Sequence, residues 1–315
     1  MTFDLPLMVN QFPPAPGAAP CLRLGNTAQE SRSVLLELFV VDEGAGPTVL
    51  LIHGLMSSCN DWIPVAAQLT VDHRVLIPDR PGYGKSGHGP LSMMENAECL
   101  AEMLHTRASG PVIVVGHSYG GGVAVLLAAR HPSLVSGLVL VATVGRPNRK
   151  HTWWRHVLAW PVIGEVASAT KLFVLQCLQP RLRQLTRLAT LRFSWSAGAR
   201  PDDRHIEEAS KWQPGSWRTV AAEQRSLLRE IASIETSLPV LRLPTVVVAG
   251  ALDNVVPPSV AVSTAAAVEG AELVIVPNTG HPLPCEAPSA VVSAVHCVEM
   301  RIAVMKRAGE DGGGL

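Results

Sequence analysis

The stretch Val112-Ile-Val-Val-Gly116-His-Ser118-Tyr-Gly120-Gly-Gly-Val-Ala constrains this 315-residue chain more than any other part of it. The continuous β-branched run reads as a strand buried on both faces, and the Ala/Leu-rich segment after it reads as a helix. Between them stands G-x-S-x-G. A strand can turn this abruptly into a helix when small residues two before and two after the serine let the backbones cross. The serine hydroxyl is then lifted above the sheet, and the next N–H sits at a helix N-terminus, where negative charge is favoured. The pattern predicts a layered α/β fold carrying a nucleophile at the C-terminal edge of its sheet.

Other segments follow the same rhythm. Strand-like runs fall at Val34–Val41, Val49–His53, Arg74–Pro78, Leu138–Ala142, Thr245–Ala249 and Leu273–Val276, and the later ones are unbroken Val/Ile/Leu stretches rather than alternating ones. Helical segments such as Glu95–Arg107, Gly121–Arg130 and Ser289–Lys306 lie between or after them. This alternation is that of helices flanking a mostly parallel sheet. About a hundred residues between Ala142 and Thr245 break the rhythm and read as several helices interrupted by prolines. The chain therefore divides into an arm (1–32), a core (33–145 and 239–306), a helical insertion (146–238) and a short Gly-rich tail (307–315). With 47% hydrophobic and 17% charged residues, material for a core is ample.

The formal net charge is zero, which lacks the basic excess of a nucleic-acid binder. That zero hides an asymmetry. Residues 146–238 hold 15 Lys/Arg against 8 Asp/Glu, a net of +7, so the remaining 11 against 18 carry −7. Six of the seven tryptophans lie in the same insertion. The six cysteines are scattered without a C-x-x-C pair, as expected of reduced, buried thiols. The N-terminus lacks the charged and apolar regions of a secretory signal. The two apolar stretches weighed as spans, Ala108–Ala129 and Trp153–Leu178, are broken by polar or charged residues. A cytoplasmic location is the resulting expectation.

A serine nucleophile needs a histidine base and an acid to orient it. Asp253 follows the Thr245–Ala249 run, and His281, in a Gly/Pro-bounded loop, follows the Leu273–Val276 run. Both loops leave the same edge of a parallel sheet, where ligands bind. The order Ser118, Asp253, His281 is the one used by nucleophile-elbow enzymes. His53, in the His53–Gly54 turn, and His117, which precedes the nucleophile, also fall near the site, but both read as structural, and His296 falls inside the final helix. Asp202 and Asp203 are alternative acids, remote from any strand end. Gly82-Tyr-Gly84-Lys85-Ser86 ends like a phosphate-binding loop, but Asp79 occupies the place of its first required glycine. No cofactor or metal is called for.

With Leu51-Ile-His53-Gly54-Leu55-Met56 and Asp79-Arg-Pro-Gly82-Tyr-Gly84-Lys-Ser86 added to the elbow, the chain resembles the α/β-hydrolase fold superfamily from about Val34 to Val304. The resemblance implies a mostly parallel eight-stranded sheet flanked by helices, with a helical cap inserted after strand 6. It also implies that the N–H groups of Leu55 and Tyr119 form the oxyanion hole, and that the Asp79–Ser86 loop supports the wall of the site without a chemical role. Relatives that dehalogenate alkanes or open epoxides attack with aspartate, so serine at 118 argues against both. Serine with His/Asp performs acyl chemistry. The expected activity is hydrolysis of a carboxylic ester of a hydrophobic small molecule, fading in acid as the base protonates. C–C hydrolysis, perhydrolase or haloperoxidase-like chemistry and acyl transfer would use the same residues, and a non-catalytic receptor could keep the fold. The Trp-rich basic cap, opening with Trp153-Trp-Arg-His-Val-Leu-Ala-Trp160, reads either as a lid whose tryptophans pack on the sheet edge with Lys/Arg solvated outside or as an interfacial surface in weak contact with anionic membranes, and on either reading is expected to cover an apolar pocket.

Overall fold

The computed structural model describes residues 37–87, 89–145 and 216–312. Seven strands form one sheet: β1 (Val40–Gly44), β2 (Thr48–Ile52), β3 (Arg74–Pro78), β4 (Val112–His117), β5 (Val135–Val141), β6 (Thr245–Gly250) and β7 (Glu272–Val276). Their order is β1-β3-β2-β4-β5-β6-β7. Only β1 runs antiparallel, pairing Val40 with Pro78 through Gly44 with Arg74. The helices are α1 (Ile63–Leu69), α2 (Met93–Arg107), α3 (Tyr119–Arg130), α4 (Ser216–Ser237), α5 (Pro258–Ala267), α6 (Leu283–Glu286) and α7 (Pro288–Gly312).

Strand periodicity sorts the core into two layers. Leu50, Ile52, Leu76, Val114, Leu138, Leu140 and Val247 face α2, α3 and α5 on one side. Their neighbours Val49, Leu51, Val75, Val115, Val139, Val141, Val246 and Val248 face α1 and α7 on the other. Fully buried strands need apolar residues at every position, which is why these runs do not alternate.

Several expectations are corrected. The sheet has seven strands among the described residues rather than eight. Among the described residues the first strand begins at Val40, because the Phe39 N–H that would extend its ladder with β3 is taken by Ser86 Oγ at 2.9 Å; residues 34–36 of the expected Val34–Val41 run lie outside the described residues. The expected helical insertion falls between β5 and β6, and most of it lies outside the described residues. Residues 146–215 and the arm lie outside the described residues, as do Asp202, Asp203 and the Trp153–Trp160 stretch. Of the predicted insertion, α4 is described: it packs on α2 and α3, and its Ser226 Oγ and Glu230 carboxylate accept the Met93 and Met94 N–H groups at the start of α2. Strand β7 is not buried on both faces: Leu273, Val274 and Ile275 are 38–40% exposed, because β7 is the sheet's edge and pairs with β6 alone. Among the cysteines described, Cys59 and Cys99 are buried, Cys297 is half-buried and Cys285 is exposed, and all four are free thiols. A span overlooked in the sequence, Pro288–Ala308 of α7, is long and apolar enough to cross a membrane. Its Val291, Val295 and Val298 are fully buried in the layer shared with the sheet and α1, the placement of a flanking helix.

Candidate active site

Ser118 sits between β4 and α3 with φ 53° and ψ −117°, a conformation non-glycine residues rarely adopt. The flanking glycines make it sterically accessible. A Cβ on Gly116 would lie 2.5 Å from the Gly120 carbonyl oxygen, and one on Gly120 would lie 2.5 Å from the carbonyls of Ile52 and His53. Only bare backbone fits where the elbow crosses β2. The turn is anchored by the Ser118 N–H on the Val141 carbonyl and by the Ser118 carbonyl, which accepts N–H groups from Gly121 and Val144.

Loops after β6 and β7 are stitched together so that Asp253 and His281 meet. The Ala251 N–H donates to the Val276 carbonyl and the Leu252 N–H to the Thr279 carbonyl. The Gly280 N–H donates to Glu286 Oε2 at 2.8 Å. Asp253 is buried, and its Oδ1 accepts two backbone N–H groups, from Val255 and Val256, each at 2.8 Å. Its Oδ2 lies 2.7 Å from His281 Nδ1, and His281 Nε2 lies 3.1 Å from Ser118 Oγ. The three residues singled out in the sequence thus form one hydrogen-bonded line. With Nδ1–H pointing at the carboxylate, the Nε2 lone pair faces the serine hydroxyl, an arrangement able to remove its proton.

Among the described residues, His117 is the imidazole that packs against His281. Its Nε2–H donates to the His281 carbonyl at 3.0 Å, and the two rings lie 5.0 Å apart. Burial first, and then the neighbouring His281, pulls its pKa down to about 4. It is neutral at ordinary pH and supports the His281 loop rather than competing for the proton. His53 is also structural: its Nδ1–H donates to the Gly54 carbonyl at 2.9 Å and its Nε2 accepts the Arg80 N–H at 2.9 Å. Burial holds it well below the usual histidine value.

Leu55 follows the His53–Gly54 turn at the end of β2, and Tyr119 opens α3, where its N–H is one of the donors that a helix leaves without an internal acceptor. In the Asp79–Ser86 loop, Asp79 accepts the N–H groups of Cys59 and Lys85 at 2.7 Å each, while the Ser86 hydroxyl donates to the Asp79 carbonyl. Two roles were not foreseen from the sequence, that of Arg80 within this loop and that of Glu223 beside it. Arg80 and Glu223 are both fully buried and form an ion pair, joined by the Tyr83 hydroxyl on Glu223 Oε2 at 2.8 Å. Burial raises the Glu223 carboxyl above its ordinary value, against the pull of Arg80 and the Tyr83 hydroxyl. A signal was present: Glu223 interrupts the Val220, Leu227, Ile234 stripe of α4, where an apolar residue belongs.

Comparisons with known proteins agree with this architecture. The family profile for the alpha/beta hydrolase fold matches residues 47–288. The pimeloyl-[acyl-carrier protein] methyl ester esterase of Edwardsiella ictaluri is 31% identical over 240 residues, covering 76% of this chain and 88% of that protein. Its namesake in Vibrio vulnificus is 30% identical over 241 residues, covering 76% and 89%. A solved thermophilic esterase from Thermogutta terrifontis superposes with a TM-score of 0.62 at 24% identity, covering 84% of this chain and 93% of that one.

Proposed function

The chain belongs to the alpha/beta hydrolase fold family and is a hydrolase acting on ester bonds, and from that premise we propose that it cleaves carboxylic esters of hydrophobic small molecules through an acyl-enzyme on Ser118. His281 takes the hydroxyl proton as Oγ attacks the carbonyl, and the N–H groups of Leu55 and Tyr119 receive the developing oxyanion. His281 then returns the proton to the departing alcohol. Water, activated by the same imidazole, releases the acid. Asp253 keeps Nδ1 protonated and stabilises the imidazolium that forms at each step.

The observation that carries this reading is the Asp253–His281–Ser118 line, with contacts of 2.7 and 3.1 Å. Residues 146–238 are proposed as a cap that supplies an apolar acyl or alcohol pocket. Contact of its basic, Trp-rich part with anionic membranes is a further part of the proposal, and flotation with acidic liposomes at low salt tests it. The relatives' name, a methyl ester esterase, puts methyl alkanoates among the substrates to try.

The decisive experiment is hydrolysis of p-nitrophenyl esters from acetyl to dodecanoyl, alongside methyl esters, by the wild type and Ser118→Ala. Turnover that falls by about 10⁴-fold or more in a folded Ser118→Ala variant is expected, and the preferred chain length sizes the pocket. A folded wild type without ester turnover would overturn the reading in favour of C–C hydrolysis, acyl transfer or a receptor.

A further inference from the structure

The Arg80 guanidinium contacts the peptide that carries one proposed oxyanion donor and the ring of the residue that carries the other. Its Nε donates to the His53 carbonyl at 2.9 Å and its Nη2 to the Gly54 carbonyl at 2.8 Å. The Gly54 carbonyl also accepts His53 Nδ1–H, so two donors hold it. That carbonyl and the Leu55 N–H are opposite ends of one planar trans peptide. Fixing the oxygen therefore fixes the direction of the N–H. A cation on the carbonyl also polarises the amide and makes its N–H a stronger donor. The same guanidinium lies 4.8 Å from the centroid of the Tyr119 ring, bracing the residue that carries the second donor. Its remaining donors go to Glu223, which α4 brings from 143 residues away along the chain.

We propose that Arg80 is a positioning residue for catalysis, which aims the Gly54–Leu55 peptide and is itself held in register by Glu223 of α4. This rests on the esterase reading, because the direction of that N–H matters only if an oxyanion forms beside it. The placement of α4 is then coupled to the transition state rather than to substrate binding alone. A lysine could keep the charge and the pairing with Glu223, but it has no planar fork to span two carbonyls and a carboxylate.

Two variants test the proposal. Arg80→Lys keeps the charge and loses the fork. Arg80→Met with Glu223→Gln removes both charges together, leaving no unpaired buried ion and an acceptor for the Tyr83 hydroxyl, so that folding is preserved. The readouts are Tm, kcat and KM on p-nitrophenyl butyrate, with the burst of p-nitrophenol reporting acylation. In both variants kcat and the burst rate are expected to fall between about 10- and 100-fold, a part of the loss that follows removal of an oxyanion donor, while KM stays within about threefold. A folded variant of either kind with wild-type kcat, or one whose only change is a raised KM or lowered Tm, overturns the positioning role and leaves the esterase reading intact. If the double variant does not fold, Arg80→Lys decides alone. Absence of turnover in the wild type instead overturns the esterase reading, and this proposal with it.

Discussion

Two kinds of side chain at the site are costly to the fold. Ser118 holds a backbone conformation worth about 1–3 kcal/mol of strain, tolerated because three backbone hydrogen bonds and the crossing glycines determine the turn. His117 and His53 are imidazoles kept neutral by burial. Their effect on stability has a definite sign. Unfolded, each histidine takes up a proton near pH 6.5; folded, His117 does so only near pH 4. Between those values the unfolded state binds the extra proton, so stability falls as pH falls through this window. From His117 the loss is on the order of 3 kcal/mol, and His53 adds to it in the same direction. Urea unfolding of the wild type and of His117→Asn at pH 7 and pH 4.5 checks this. The wild type should lose the greater stability on acidification, and an equal loss in both would remove His117 from the account.

At the scale of elements, the site is an agreement among loops that leave one edge of the sheet. Strand β4 delivers the serine, β6 the acid and β7 the base, and β2 ends in the turn that carries Leu55. The tightest constraint is where the elbow crosses β2. Gly120→Ala would place a methyl 2.5 Å from two carbonyl oxygens, so backbone rather than a side-chain rotamer must give way. We expect a loss of more than about 2 kcal/mol in stability together with a fall in kcat, because the oxyanion turn and the nucleophile move apart. Thermal unfolding and steady-state kinetics on one preparation read both. Helix α2 offers a contrast. Its Ser92/Glu95 capping box lies on an element that contributes none of the proposed catalytic residues, and Ser92→Ala is expected to cost about 1 kcal/mol with kcat unchanged.

For the molecule as a whole, the sheet order β1-β3-β2-β4-β5-β6-β7 puts the serine's strand in the middle and leaves β7 at an edge with Leu273, Val274 and Ile275 partly exposed. An apolar edge strand invites pairing with another chain. Val274→Lys should lower light scattering on heating or refolding while esterase activity stays at the wild-type level; unchanged scattering would show that this edge does not drive association. Much of the molecule was legible in one dimension. Buried parallel strands announce themselves as unbroken Val/Ile/Leu runs, and a nucleophile elbow needs its glycines at fixed offsets, so the layered fold and the positions of Ser118, Asp253 and His281 could be read from local chemistry. Boundaries that depend on partners could not. β1 starts at Val40 because Ser86 captures the Phe39 N–H, and β7 is exposed because no strand among the described residues pairs with its outer edge. The Arg80–Glu223 pair was equally hidden, since nothing in a linear pattern says which distant carboxylate will neutralise a buried guanidinium. Short-range sterics and hydrophobic periodicity were enough to specify the strands, the elbow and the order of the proposed catalytic residues; only the closed tertiary structure, in which buried charges and backbone groups must find partners across long separations, decided where β1 begins, that β7 is partly exposed and that Arg80 pairs with Glu223 beside the Gly54–Leu55 peptide.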